Sequence, residues 1–152
     1  TGADGTPAKA GDTPRSRRVA PAPPDATLTP PPGFEDAARA VGVEFDAGDV
    51  ERLGRYLALL LDENTRVNLT AITDPAEAWT RHLLDSLTLL QVLADLPEGA
   101  DVIDVGSGGG LPGLPLAIAA PHLRFTLLEA TGKKADFLQR AVRELGLADA
   151  RV

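Results

Sequence analysis

Asp101-Val-Ile-Asp-Val-Gly-Ser-Gly-Gly-Gly-Leu-Pro-Gly-Leu-Pro-Leu-Ala-Ile-Ala-Ala120 decides the fold. It opens with a short apolar run, passes through a glycine turn at Gly106–Gly110 and continues with helix-like apolar content. Pro112 and Pro115 suit only the first turn of that helix, where a missing amide proton costs nothing. Strand, glycine turn and helix in this order let a backbone approach a nucleotide-like ligand closely. Glycines at 106, 108 and 110 remove the Cβ atoms that would block it and permit positive φ. Arg124-Phe-Thr-Leu-Leu-Glu129 reads as a second strand ending in an acid, and Glu129 follows Gly106 by 23 residues, close to the spacing at which an acid meets ribose hydroxyls. A helix from Lys133 to Leu145 gathers Phe137, Leu138, Ala141, Val142 and Leu145 on one face and stops at Gly146. Ala150-Arg-Val152 begins a third strand. Doubly wound sheets usually have about five or six strands, so an incomplete sheet is expected, with the C-terminal part of the domain lying beyond this chain.

Before the strand, residues 34–97 read as a helical segment and residues 98–152 as the first part of the α/β domain. Val50, Leu53, Tyr56, Leu57, Leu60 and Leu61 form one face of a helix, with Glu51 and Arg55 paired on its outer side. A short helix around Glu35–Val41 precedes it. Asn64–Thr73 has weak periodicity and many side chains that bond their own backbone, which predicts a loop. Asp74-Pro-Ala-Glu77 starts a helix: Asp74 caps, Pro75 takes the first position and Glu77 closes a capping box. Trp79, Leu83, Leu87 and Leu90 form its apolar stripe, while Arg81, Asp85 and Thr88 project oppositely. His82 and Ser86 sit at the stripe's edge. Composition alone favours a boundary histidine bonded to Ser86 or Asp85 and an ordinary Arg81–Asp85 pair.

Residues 1–33 hold eight of the chain's 13 prolines and, of aliphatics larger than alanine, only Val19 and Leu28. Such a stretch buries too little apolar surface to offset its ordering entropy, which predicts a disordered Pro-rich tail. Arg15-Ser-Arg-Arg18 reads as a solvated charge run or a weak RNA-touching arm. Of the 152-residue chain's net −7, the tail carries +1, leaving −8 on residues 34–152. The absence of cysteine excludes disulfide scaffolds, thiolate zinc sites and cysteine nucleophiles. His82 and His122 do not suggest a zinc pair, so no metal is expected. No apolar run approaches the roughly 20 residues of a membrane span, and no signal peptide is visible; a cytoplasmic protein without membrane contact is the expectation. With no methionine, the chain is expected to be cut from something longer.

Three readings stay open from the residues. Gly108-Gly-Gly-Leu-Pro-Gly113 is a literal G-x-G-x-x-G, which points to an NAD(P)-dependent oxidoreductase. That match begins two residues past the turn at Gly106, and counting from Gly106 puts the large Leu111 in the third position. Asp104-x-Gly106-x-Gly108-x-Gly110 instead resembles the first motif of class I S-adenosylmethionine-dependent methyltransferases. A truncated, non-catalytic fragment is the third reading.

Asn68-Leu-Thr-Ala-Ile72, Arg81-His-Leu-Leu-Asp-Ser86, Asp104-Val-Gly-Ser-Gly-Gly-Gly-Leu-Pro-Gly-Leu-Pro-Leu116 and Leu128-Glu-Ala-Thr-Gly-Lys-Lys134 stand together in the order and spacing of one family. Over about residues 36–152 the chain resembles the bacterial small-subunit rRNA guanine-N7 methyltransferase G family, also called glucose-inhibited division protein B. The resemblance implies a Rossmann-like α/β methyltransferase domain behind a small helical segment. It also implies S-adenosylmethionine as methyl donor and a guanine of 16S rRNA, on the small ribosomal subunit, as substrate. Carried over by position, Gly106, Ser107, Gly108, Gly110, Leu111, Glu129, Ala130 and Thr131 would bind the cofactor, with Glu129, Ala130 and Thr131 meeting its adenosine part. Arg81, His82, Asp85 and Ser86 match the string at the active-site mouth and are the candidate catalytic residues. Further cofactor residues of the family would lie beyond Val152. A monomer is the expectation.

Guanine N7 has an in-ring lone pair and needs no deprotonation, so positioning, which can supply roughly 7–11 kcal/mol, suffices for the chemistry. A carboxylate such as Asp85 would stabilise the cationic product. The acidic balance argues against RNA as a partner overall, and Lys133, Lys134, Arg140 and Arg143, with Arg66 and Arg81, are the local basic residues that could offset it.

Overall fold

The computed structural model describes residues 26–152. Helices α1 (Phe34–Ala40) and α2 (Asp49–Glu63) come first, then α3 (Pro75–Ala78), a π-helical turn (Trp79–Leu84), α4 (Asp85–Leu87) and α5 (Leu90–Leu93). The α/β part follows as β1 (Asp101–Val105), α6 (Gly113–Ala119), β2 (Arg124–Leu128), α7 (Gly132–Glu144) and β3 (Ala150–Arg151). The three strands form one parallel sheet in the order β1-β2-β3, with Asp101 opposite Arg124 and Val105 opposite Leu128. Parallel strands joined by helices are the α/β, Rossmann-like arrangement expected from the glycine turn, and the sheet is partial.

The sheet has one covered and one open face. Phe125 and Leu127 are buried toward the helices, whereas Ile103 (59% exposed), Val105 (78%) and Leu128 (47%) point to the opposite side. On that side Arg124 grips Asp101 with two 3.0 Å bonds, Nε to Oδ1 and an Nη to Oδ2. A single core runs under the covered face and into the helical segment, joining Leu53, Tyr56, Leu57 and Leu60 of α2 with Trp79, Leu83 and Leu87 and with Leu114, Ile118, Leu127 and Leu138. Phe34 stacks edge-on against Trp79, ring centroids 4.7 Å apart. Helix α7 ends as its sequence predicts: Gly146 takes φ +65, its amide donates to the Arg143 carbonyl, and the Leu147 amide donates to Val142.

Of the expected disordered tail, residues 1–25, with the Arg15–Arg18 run, lie outside the described residues. Its last part, 26–33, does not hang free. The Leu28 amide donates to the Gly54 carbonyl at 3.2 Å, Leu28 packs on the core, and an Arg55 guanidinium donates to the Ala26 carbonyl. Gly54 makes this possible, because a Cβ there would stand 2.1 Å from the Leu28 carbonyl oxygen. Arg55 also reaches across to Glu144 of α7 at 3.1 Å, and no ion pair joins it to Glu51 among the described residues, contrary to the expected outer-face pair.

The stretch from Asp74 departs further from expectation. Asp74 Oδ1 accepts the Glu77 amide at 2.8 Å and Pro75 occupies the first position, as predicted. Glu77, however, turns forward to Arg81 instead of closing the box, and the helix widens into a π turn over Trp79–Leu84.

Candidate functional site

The glycine turn sits at the carboxyl end of β1, the end at which open α/β sheets bind ligands. The amides of Gly106 and Ser107 both donate to the Leu128 carbonyl, at 2.8 and 3.0 Å, which ties the turn to the neighbouring strand. The chain then coils tightly, with Gly106, Gly108 and Gly110 at φ +77, +54 and +94. These are values a side chain rarely allows. Around Gly106 no atom lies within 4 Å of where a Cβ would stand, so the turn opens outward there. Gly110 has the opposite surroundings: a Cβ would meet Leu114 at 2.5 Å, so this glycine serves packing.

Glu129 closes the turn from β2. Its Oε2 accepts the Gly108 amide and its Oε1 the Thr131 amide, both at 2.8 Å. These two amides, Thr131 first, hold the carboxyl below its ordinary value, so it is ionised at neutral pH. An ionised carboxylate has about four acceptor positions, so two bonds leave capacity for hydroxyls of a bound sugar. Sequence spacing placed Glu129 opposite the turn, and the structure does bring the two into contact. Thr131 caps α7 with its carbonyl, which accepts from Lys134 and Ala135, and Ala130 is exposed beside it. Leu111 is half-buried against the core. Ser107 faces inward, buried, its hydroxyl donating to the Asp104 carbonyl at 3.0 Å; it braces the turn and presents no side chain outward.

Asp104, next to the turn, accepts the Gly113 amide on Oδ2 at 3.1 Å. Burial pushes its carboxyl up, against the lowering effects of Ser107 and the Gly113 amide. A Cβ on Gly113 would lie 2.5 Å from Leu127 and 2.6 Å from that Oδ2, so Gly113 is where α6 closes on the sheet. In the dinucleotide count Gly113 thus does the packing of a third glycine, but the first glycine of that count, Gly108, lies beyond the turn made by Gly106.

The Arg81–Ser86 string reaches the turn through a loop. Asn64 organises residues 64–72: its Oδ1 accepts the amides of Leu69 and Thr70, and its Nδ2 donates to the Thr70 carbonyl. Leu69 lies against Gly109, where a Cβ would be 3.4 Å from its own, and the Thr70 hydroxyl meets His82 Nε2 at 2.7 Å. Thr70 Oγ1 also accepts the Ile72 amide, so this one hydroxyl ties the imidazole to the loop. Burial, then the Arg81 charge, lowers the His82 pKa and keeps the ring neutral. The expected bonds of this string are therefore replaced. His82 pairs with Thr70 instead of Ser86 or Asp85. Ser86 is buried and donates to the His82 carbonyl at 2.6 Å. Arg81 pairs with Glu77, and exposed Asp85 accepts no side-chain bond among the described residues. The π turn is the reason, because it breaks the four-residue pitch that would have set Arg81 over Asp85.

Two residues that carry the turn were not among the expected site residues. Tyr56 of α2 donates its hydroxyl to the Gly109 carbonyl at 2.8 Å, and Leu60 covers Gly109. The signal available was a lone tyrosine in a leucine stripe, whose buried hydroxyl needs a partner. Of the basic residues, Arg140 is bound to Glu63 at 2.6 Å and Arg66 to Asp62 and Glu63, so Lys133, Lys134 and Arg143 remain as the outward cations of α7. A cavity of about 560 Å³ between Thr27, Gly48, Arg52, Arg55 and Glu144 lies away from the turn. Among the described residues no helix is long and apolar enough to cross a membrane.

Residues 49–152 match a family model described as GidB, rRNA small subunit methyltransferase G. Three curated relatives bear the name Ribosomal RNA small subunit methyltransferase G. The protein of Sorangium cellulosum (strain So ce56) is 55% identical over 139 residues, 91% of this chain and 58% of its own length. That of Stenotrophomonas maltophilia (strain K279a) is 55% identical over 107 residues, covering 70% and 49%. That of Ectopseudomonas mendocina (strain ymp) is 49% identical over 115 residues, covering 76% and 53%. The chain spans about half the length of the curated relatives it matches.

Proposed function

The chain belongs to the GidB family of rRNA small subunit methyltransferases G, and on that premise we propose that the protein transfers a methyl group from S-adenosylmethionine to guanine N7 of 16S rRNA in the bacterial cytoplasm. The observation that carries this reading is Glu129 closing on the Gly108 amide beside the open side of Gly106. A donor's ribose and the bare main chain of the turn would meet there. Gly106, Gly108, Leu111, Glu129, Ala130 and Thr131 are the proposed donor site, with Ser107 and Gly110 bracing it from within.

When bound, S-adenosylmethionine supplies an electrophilic sulfonium methyl that the free lone pair of guanine N7 accepts without a general base. The chain's residues then have three tasks. The turn holds the donor in place, and positioning of this kind can lower a barrier by roughly 7–11 kcal/mol. Neutral His82, fixed by Thr70, stands at the mouth without adding charge. Asp85, exposed one turn on, offers a carboxylate to the guanine that becomes cationic. Lys133, Lys134 and Arg143 are the proposed phosphate contacts.

The test is transfer of labelled methyl from S-adenosylmethionine to small ribosomal subunits lacking N7 methylation, using the family-length gene product. Label in 16S rRNA, with strand scission at a single 7-methylguanosine, is expected; no label, or label elsewhere than N7, overturns the reading. Asp85→Asn should slow single-turnover transfer about tenfold, and an unchanged rate removes Asp85 from the mechanism.

A further inference from the structure

Helix α2 lies outside the strand–turn–helix unit, yet it holds the middle of the glycine turn. Tyr56 is fully buried and its hydroxyl donates to the Gly109 carbonyl at 2.8 Å, a contact across 53 residues of sequence. Leu60, one turn further along the same face, covers the α-carbon of that glycine: a Cβ on Gly109 would stand 2.7 Å from Leu60 Cδ1. The peptide plane between Gly109 and Gly110 is therefore fixed at both ends, its carbonyl by Tyr56 and its amide by the Ser107 carbonyl at 2.7 Å. The preceding amide, that of Gly109, has no acceptor among the described residues. A turn of consecutive glycines has little intrinsic preference for one conformation, so an external hydrogen bond from a rigid helix is what selects among its peptide orientations. Burial, and then the negative charge of Asp104, push the tyrosine pKa well up, so the hydroxyl is a permanent donor.

We propose that Tyr56 is a positioning residue for the methyl donor: its hydroxyl locks the Gly109–Gly110 peptide so that the turn is already in its binding conformation before the donor arrives. The proposal rests on the donor reading of the turn given above. It makes the helical segment part of the donor site and not merely a support for the sheet.

Tyr56→Phe removes one oxygen and leaves the packing in place. In the family-length gene product, hydrogen exchange of the Gly108, Gly110 and Leu111 amides should accelerate at least tenfold, with exchange in β1 and β2 unchanged. The affinity for S-adenosylhomocysteine should fall about tenfold, as expected for loss of pre-organisation. Leu53→Ala, which destabilises α2 without touching the hydroxyl, should raise exchange throughout the core with no selective effect on the turn. The proposal is overturned if Tyr56→Phe exchange at the turn rises only in step with the strands, or if the affinity is unchanged. Failure of the wild-type family-length gene product to bind S-adenosylhomocysteine at all would instead remove the donor reading itself.

Discussion

Glu129 holds two amides with one carboxylate, and a neutral amide in its place cannot do the same. In Glu129→Gln the Nε2 donates and cannot accept, so either Gly108 or Thr131 loses its partner. S-adenosylhomocysteine affinity, read by calorimetry, should fall about tenfold, while the melting temperature changes little because the side chain is partly exposed. His82 predicts a pH effect of definite sign. Its pKa is lowered from 6.5 by burial and by Arg81, so below about 6.5 the unfolded chain binds a proton that the native ring resists. Stability therefore falls as pH drops from 7 through 6.5 toward the lower native value and levels off beneath it. The wild type minus His82→Gln difference in denaturant midpoints should show this slope, and no difference across that window would contradict it. At this scale the sequence was informative about identity and poor about partners. The spacing from Gly106 put Glu129 in the right place because strand lengths and crossover lengths constrain it. The partner of His82 was invisible, because Thr70 comes from a loop whose path is set by Asn64.

At the scale of elements, the apolar stripes delivered α2 and α7 nearly to the residue, since a 3.6-residue period is strong over a dozen positions. The segment from Asp74 was legible only at its start. Its cap depends on four adjacent residues, whereas the π turn inserts one residue's worth of chain without disturbing the order of large apolar side chains. Gly54 carries a constraint at this scale that composition does not show. In an ordinary helix interior, glycine to alanine stabilises by roughly 0.5–1 kcal/mol. Here the new Cβ would press on the Leu28 carbonyl at 2.1 Å, so Gly54→Ala should destabilise by about 1–3 kcal/mol. A chemical denaturation curve decides the sign, and a gain in stability would mean that residues 26–33 do not cross α2.

Over the whole molecule, helical segment and α/β part are one body, joined by a shared core and by a chain of charges from Arg55 through Glu144 and Arg140 to Glu63 and Arg66. Burial acts upward on Glu63, but Arg66 and Arg140 outweigh it and hold the carboxyl below its ordinary 4.5. The stabilisation is thus present above about pH 4.5 and lost as pH falls through the lower native value. Glu63→Gln should flatten that part of the acid unfolding profile, and an unaltered profile would show the network to be inert. The Arg55–Glu144 and Arg140–Glu63 pairs are not readable from sequence, because each needs α2 and α7 to be side by side, whereas Arg140–Glu144 and Glu63–Arg66 are local in sequence. The open face at Ile103, Val105 and Leu128 agrees with the expectation of an incomplete sheet.

One titration bears most directly on the whole account: backbone amide resonances of the family-length gene product followed by NMR as S-adenosylhomocysteine is added, with NAD in a parallel series. Shifts confined to Gly106–Leu111 and Glu129–Thr131, and produced by the nucleoside thioether and not by NAD, are the predicted result. No response, a response to NAD instead, or shifts centred on the Thr27–Arg52 cavity would contradict it.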